Sequence, residues 1–114
     1  AAFDITPTVM LDNDASELST VVEASGRDRP GLLAALAKPI SDAGLSILSA
    51  HIDGYGERAV DAFYVVDAEG QKLTDPKRMG ALKADLIAAL DYEEAPQASR
   101  PRANLQKARA SVAR

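Results

Sequence analysis

The stretch Gly26-Arg27-Asp28-Arg29-Pro30-Gly31-Leu32-Leu33 most narrows what this chain can fold into. It joins an alternating run, Leu18 to Ser25, that reads as a strand to an apolar run, Leu32 to Ala43, that reads as a helix. Asp28 or Arg29 is placed to cap that helix, and Pro30 falls near its first turn, where a missing N–H is no loss. Gly31 lets another group approach the backbone closely. The helix's free N–H groups and the positive end of its dipole then face whatever lies beyond the strand, which suits a small carboxylate. A plain helix start would use the same residues, so the rest of the chain has to decide between the two.

Leu32, Leu33, Leu36, Ala37 and Ile40 mark one side of this helix. Pro39 lies inside it and should remove one hydrogen bond and crowd the carbonyl of Ala35, while Gly44 ends it as a left-handed cap. Upstream, Pro7-Thr8-Val9-Met10-Leu11 is a short strand, and Asp12-Asn13-Asp14-Ala15-Ser16 is a dense turn signal. Thr8–Leu11 and Leu18–Ser25 therefore read as an antiparallel hairpin. Downstream, Leu45 to Asp53 reads as a strand with Leu48, Ala50 and Ile52 on one face and Ile47, Ser49, His51 and Asp53 on the other. Gly54-Tyr55-Gly56-Glu57 turns the chain into a return strand, Arg58 to Asp67, with Phe63 and Val65 inward. Asp75-Pro76 opens a second helix as N-cap and first residue, with Met79, Leu82, Leu86 and Leu90 as its buried stripe.

The order is strand, strand, helix, strand, strand, helix. It predicts an α+β, ferredoxin-like domain over residues 6–92: a four-stranded antiparallel sheet with two helices on one face, chain order ββαββα. The usual order ends in a strand after the second helix, and none is legible here. Thr8–Leu11 can fill that place, because the last strand of such a fold lies antiparallel beside the first. Val21, Ile47, Val60, Tyr64 and Val66 fall on the outer sheet face, more apolar than a face meeting water needs, so self-association is expected.

Composition sets the outer bounds. At 114 residues and 46% hydrophobic the chain can bury one core. No apolar run reaches the length of a membrane span, nothing at the start resembles a signal peptide, and an opening without methionine suggests an excised fragment. The absence of cysteine rules out disulfides and thiolate metal sites and makes a reducing cytoplasm the default location. A single histidine, His51, excludes any relay or metal site needing several imidazoles. Residues 98–114 carry five basic residues and no acid, which leaves the preceding body with eight basic against seventeen acidic residues. Such a body argues against a nucleic-acid partner, and the tail, residues 93–114, is expected to be disordered or weakly helical.

Catalytic groups are hard to find. Asp12-Asn13-Asp14 superficially matches the paired aspartates that hold Mg²⁺ in nucleotidyltransferases, but no glycine-serine loop accompanies it, and a turn accounts for it. Asp91 and Glu93-Glu94 read as solvated surface at a helix end. No metal ligand or cofactor is expected within this chain.

Asp28-Arg29-Pro30-Gly31-Leu32-Leu33 after a first strand, in a ferredoxin-like unit, resembles the ACT domain, a module that regulates many amino-acid enzymes. Ser49-Ala50-His51-Ile52, Tyr55-Gly56-Glu57-Arg58-Ala59-Val60-Asp61 and Phe63-Tyr64-Val65 carry a narrower likeness. They resemble the C-terminal ACT domain of bacterial uridylyltransferase/uridylyl-removing enzymes, which modify the nitrogen-regulatory PII protein. The resemblance covers roughly residues 8–92. It implies a parent chain with an N-terminal nucleotidyltransferase, a metal-dependent phosphohydrolase and two C-terminal ACT domains that sense glutamine, with Mg in the parent enzyme. It also implies an amino-acid site at Arg27–Leu33, with amides near Gly31 and Leu32 holding the carboxylate and Asp28 taking the ammonium group. Arg29 falls in the same loop, Ser49 and His51 are lesser candidates, and in many ACT domains a partner domain completes the site. An ACT domain of another regulator, such as an alarmone synthetase, or a dimerisation unit without a ligand, are the competing readings.

Overall fold

The computed structural model describes residues 5–92. Its elements are β1 (Thr8–Asp12), β2 (Thr20–Arg27), α1 (Leu32–Asp42), β3 (Ser46–Tyr55), β4 (Arg58–Val66) and α2 (Pro76–Leu90). They build one antiparallel sheet in the order β1-β2-β4-β3, the ferredoxin-like ββαββα arrangement expected. β1 occupies the place beside β2 that a final strand would take, with Thr8 opposite Ser25 and Leu11 opposite Val22. The 93–114 tail lies outside the described residues.

The core forms where the strands' period of two meets the helices' period of 3.6. Val22 and Ala24 of β2 and Phe63 and Val65 of β4 supply the sheet side. Leu32, Leu36 and Ile40 of α1 and Leu82, Leu86 and Leu90 of α2 close over them. α2 starts as expected, with the Asp75 carboxylate accepting from the Lys77 amide at 3.1 Å and Pro76 in the first turn. α1 runs through Pro39 to Asp42, and Gly44 follows at φ 82°.

Three features differ from expectation. β2 begins at Thr20, and Leu18 is exposed. The cause is a set of hydrogen bonds centred on the fully buried Thr20. Its hydroxyl donates to Asn13 Oδ1 and accepts from the Leu73 amide at 2.9 Å, while Asn13 Nδ2 donates to the Leu73 carbonyl at 2.8 Å. These bonds hold the β1–β2 connection against the segment before α2 and fix where the strand can begin.

Second, a bulge interrupts β3 between Ile47 and Ser49. Ile47 pairs with Val65, and Ala50 and Ile52 pair with Phe63 and Asp61, so Ile47 joins the helix-side row and Leu48 becomes the extra residue. Third, the outer face is less open than expected. Val21 and Val66 are buried and Val60 and Tyr64 half-buried, because β2 and β4 are the two inner strands, each flanked on both sides by a paired strand. The exposed apolar surface lies instead along β3, all of whose residues are exposed. It includes Ile47, Leu48, Ile52 and Tyr55 there, with Leu33 at the start of α1, while Met10, Leu18 and Tyr92 are exposed elsewhere.

Thr20→Val keeps the shape of the side chain but strips the Leu73 amide and Asn13 Oδ1 of their partner. It should cost about 1–3 kcal/mol of stability, read as a lower urea midpoint, while Thr20→Ser should lose less. Equal midpoints for Thr20→Val and the parent would contradict this role.

Candidate ligand site at the start of the first helix

The segment leaving β2 is tied down at each step. The Asp28 amide donates to the Glu57 carbonyl at 2.8 Å, which fastens it to the tip of the β3–β4 hairpin. The Arg29 carbonyl accepts from the Leu32 amide at 3.2 Å, and the Gly31 carbonyl from the Ala35 amide at 3.0 Å. Gly31 is the N-cap, at φ 80° and ψ 4°, and no side chain caps the helix. Neither Asp28 nor Arg29 does so, contrary to expectation, since the left-handed turn at Gly31 begins the helix two or three residues beyond them. A Cβ on Gly31 would meet nothing within 4 Å. Its glycine therefore serves backbone conformation, not close approach by a neighbour. With the Leu32 amide engaged, the first-turn donors facing outward are those of Leu33 and Ala34.

Beside this turn lies a cavity of about 300 Å³, at the lower end of small-molecule sites. Gly31, Leu33 and Ala34 form its helix side, Ile52, Asp53 and Gly54 its β3 side, and Asp28 and Asp61 bring carboxyl groups to it; Asp53, opposite Val60, belongs to the outer row of the sheet. Asp61 is the unusual one. It stands on β4 opposite Ala24 and Ile52, in the same helix-side row as Phe63, and is only 2% exposed. Its Oδ1 has no hydrogen-bond partner. Burial raises its pKa above the ordinary 3.8, and the nearby charges of Asp28 and Asp53 raise it further. Among the described residues no group of acidic or histidine side chains is placed to hold a metal ion.

Comparison with known proteins gives this geometry a family. Residues 20–82 match the family model of the ACT domain. The chain belongs to the ACT domain family. Over its full length it is 77% identical to part of a protein of Phenylobacterium zucineum (strain HLK1) named bifunctional uridylyltransferase/uridylyl-removing enzyme. It is also 67% identical to part of the protein of that name from Caulobacter vibrioides (strain NA1000 / CB15N). A third, from Gluconobacter oxydans (strain 621H), is 52% identical over 89 residues, which is 78% of this chain and 9% of that protein. The chain spans 12% of the length of the first two relatives. No solved structure matches it significantly.

Within this ACT domain, four of the residues expected at the site, Asp28, Arg29, Gly31 and Leu32, do line the cavity. The Arg29 guanidinium, however, is directed elsewhere. It donates to the Ala89 carbonyl at 2.9 Å and lies 5.1 Å from the centre of the Tyr92 ring. There it meets the negative end of α2 and an aromatic face. Ser49 and His51 are not brought to the cavity. They pair with Tyr64 and Ala62 on the opposite face of the sheet, where His51 is exposed and stands edge-on to Tyr64. Asp61 went unnoticed in the sequence, although the alternation that turns Phe63 and Val65 inward continues to it.

The folded domain resists ionising Asp61, whereas the unfolded chain ionises it freely. Its contribution to stability should therefore fall as pH rises from about 3.8 through the raised pKa. Asp61→Asn, which cannot ionise, should be more stable than the parent near neutral pH by on the order of 1–3 kcal/mol, and no more stable below pH ~3. Melting temperatures across this range test the sign; a variant less stable at neutral pH would contradict it.

Proposed function

We propose that this ACT domain is an amino-acid sensor, with glutamine as its ligand, inside a bifunctional uridylyltransferase/uridylyl-removing enzyme that acts on the PII protein. The observation that carries the reading is the cavity itself. It sets outward-facing amides at a helix start, with the favourable end of the dipole, across from carboxylates. An α-amino acid offers the matching pair of charges. Glutamine and the PII protein follow from the resemblance alone, and uridylyl transfer and removal from the names of the relatives. In this reading uridylyl transfer and removal, and the Mg²⁺ they need, belong to other parts of the parent enzyme, and the domain reports nitrogen status to them.

Titration calorimetry of the 114-residue chain with glutamine, serine, valine and phenylalanine tests the reading. Glutamine should bind, and Asp28→Ala should weaken it by about 0.5–1.5 kcal/mol, roughly two- to tenfold. In the parent enzyme the same change should blunt the response to glutamine and leave uridylyl transfer intact. Undiminished binding by Asp28→Ala would remove that residue from the site.

A pairing role is favoured by a separate observation, the open edge of β3. Ten residues long and exposed throughout, with Leu48 62% and Ile52 54% exposed, it can add a strand from a second copy or a neighbouring ACT domain. Sedimentation should find a dimer at high concentration, and Leu48→Asp should shift it toward monomer. A parent chain that stays monomeric would rule out pairing between copies.

A further inference from the structure

One wall of the cavity holds a charged group for which the fold itself has no use. Asp61 sits between Ala24 and Ile52 in the ladder, in a row whose other inward members, Ala59, Phe63 and Val65, are buried apolar residues. Its Oδ1 is out of reach of solvent and takes no hydrogen bond. A carboxyl held this way costs the domain stability, whereas a small apolar residue would pack in the same row without that cost. Asp28 and Asp53 lie near enough to oppose its charge, so the surroundings make the cost larger. A missing donor, excess negative charge and an adjoining cavity converge on the same spot.

A metal ion is the wrong guest, since no set of three such ligands is brought together among the described residues. A primary ammonium group fits better. It carries three N–H donors and one positive charge, enough for Asp61 and a second carboxylate at once. Resting on the reading of this cavity as an amino-acid site, we infer that Asp61 is the residue that receives the ligand's ammonium group and so selects amino acids over other carboxylic acids. Asp28, at the more open rim of the loop, assists. The ligand then lies along the polarity of the cavity, its ammonium group on β4 and its carboxylate toward the Leu33 and Ala34 amides.

The test compares ligands that differ only in the amine. The 114-residue chain is titrated with L-glutamine and glutaramate, and with L-valine and isovalerate. The parent should bind the amino acid at least about tenfold more tightly than its des-amino partner, the factor set by one charge-assisted hydrogen bond. In Asp61→Asn the amino acid should weaken by a similar factor while the des-amino acid binds as well as before, or better, so that the ratio falls toward one. Asp28→Asn should leave an intermediate ratio. Thermal melts of each variant separate lost binding from lost folding, and Asp61→Ser reads the same ratio if the amide variant folds poorly. A parent that binds amino acids and an Asp61→Asn variant with the parent's ratio would overturn the assignment and leave the sensor reading standing. A parent that binds neither glutamine nor valine would sink both together.

Discussion

The fold depends on β4 lying in one register between β2 and β3. Because side chains alternate along a strand, that register sets Ala59, Asp61, Phe63 and Val65 in a single row beneath the helices. Phe63 opposite Val22 and Val65 opposite Thr20 are almost wholly enclosed. A slip of one residue would turn both outward and bring Tyr64 and Ala62 in. Each large apolar side chain buried here contributes about 1.5–3 kcal/mol. Together they outweigh the cost of one unpartnered carboxyl, so the packing that builds the core also holds Asp61 under the first turn of α1.

The loop over the cavity is fastened at two distant points. The Asp28 amide is bound to the β3–β4 turn, and Arg29 reaches across to the last turn of α2. With Gly31 already in its left-handed turn, the first-turn amides are in place before any ligand arrives. Little ordering entropy is left for binding to spend, which favours a small ligand with few contacts. The family likeness marks a regulatory module, and in the proposed reading the geometry explains why its loop can act without first folding.

The element order could be read from the chain because its signals are local. Asp75-Pro76 caps what it precedes, and alternation marks each strand. The need to pair Thr8–Leu11 followed from the lack of a strand signal after Tyr92. The misreadings arose where partners are far apart in sequence. Thr20 sets the start of β2 through Asn13 and Leu73, and Arg29 is claimed by Ala89, sixty residues away. The bulge at Leu48 was hidden because Ile47 and Leu48 are both apolar, so alternation looks the same in either phase. That hidden phase put Ile47 on the wrong face. Ser49 and His51 kept their outer face, and it is the cavity's place on the helix side that leaves them out. Asp61 was legible in principle, as an acidic residue in an otherwise apolar inward row.

The most direct test of a carboxylate-and-ammonium site at the start of α1 is an amide-resolved NMR titration of the chain with L-glutamine. The expected result is a set of saturable shifts concentrated at Gly31, Leu33, Ala34 and Asp61, with Ser49 and His51 on the opposite face left unmoved. Shifts centred on Ser49 and His51, or no saturable shift at the first turn of α1, would contradict it.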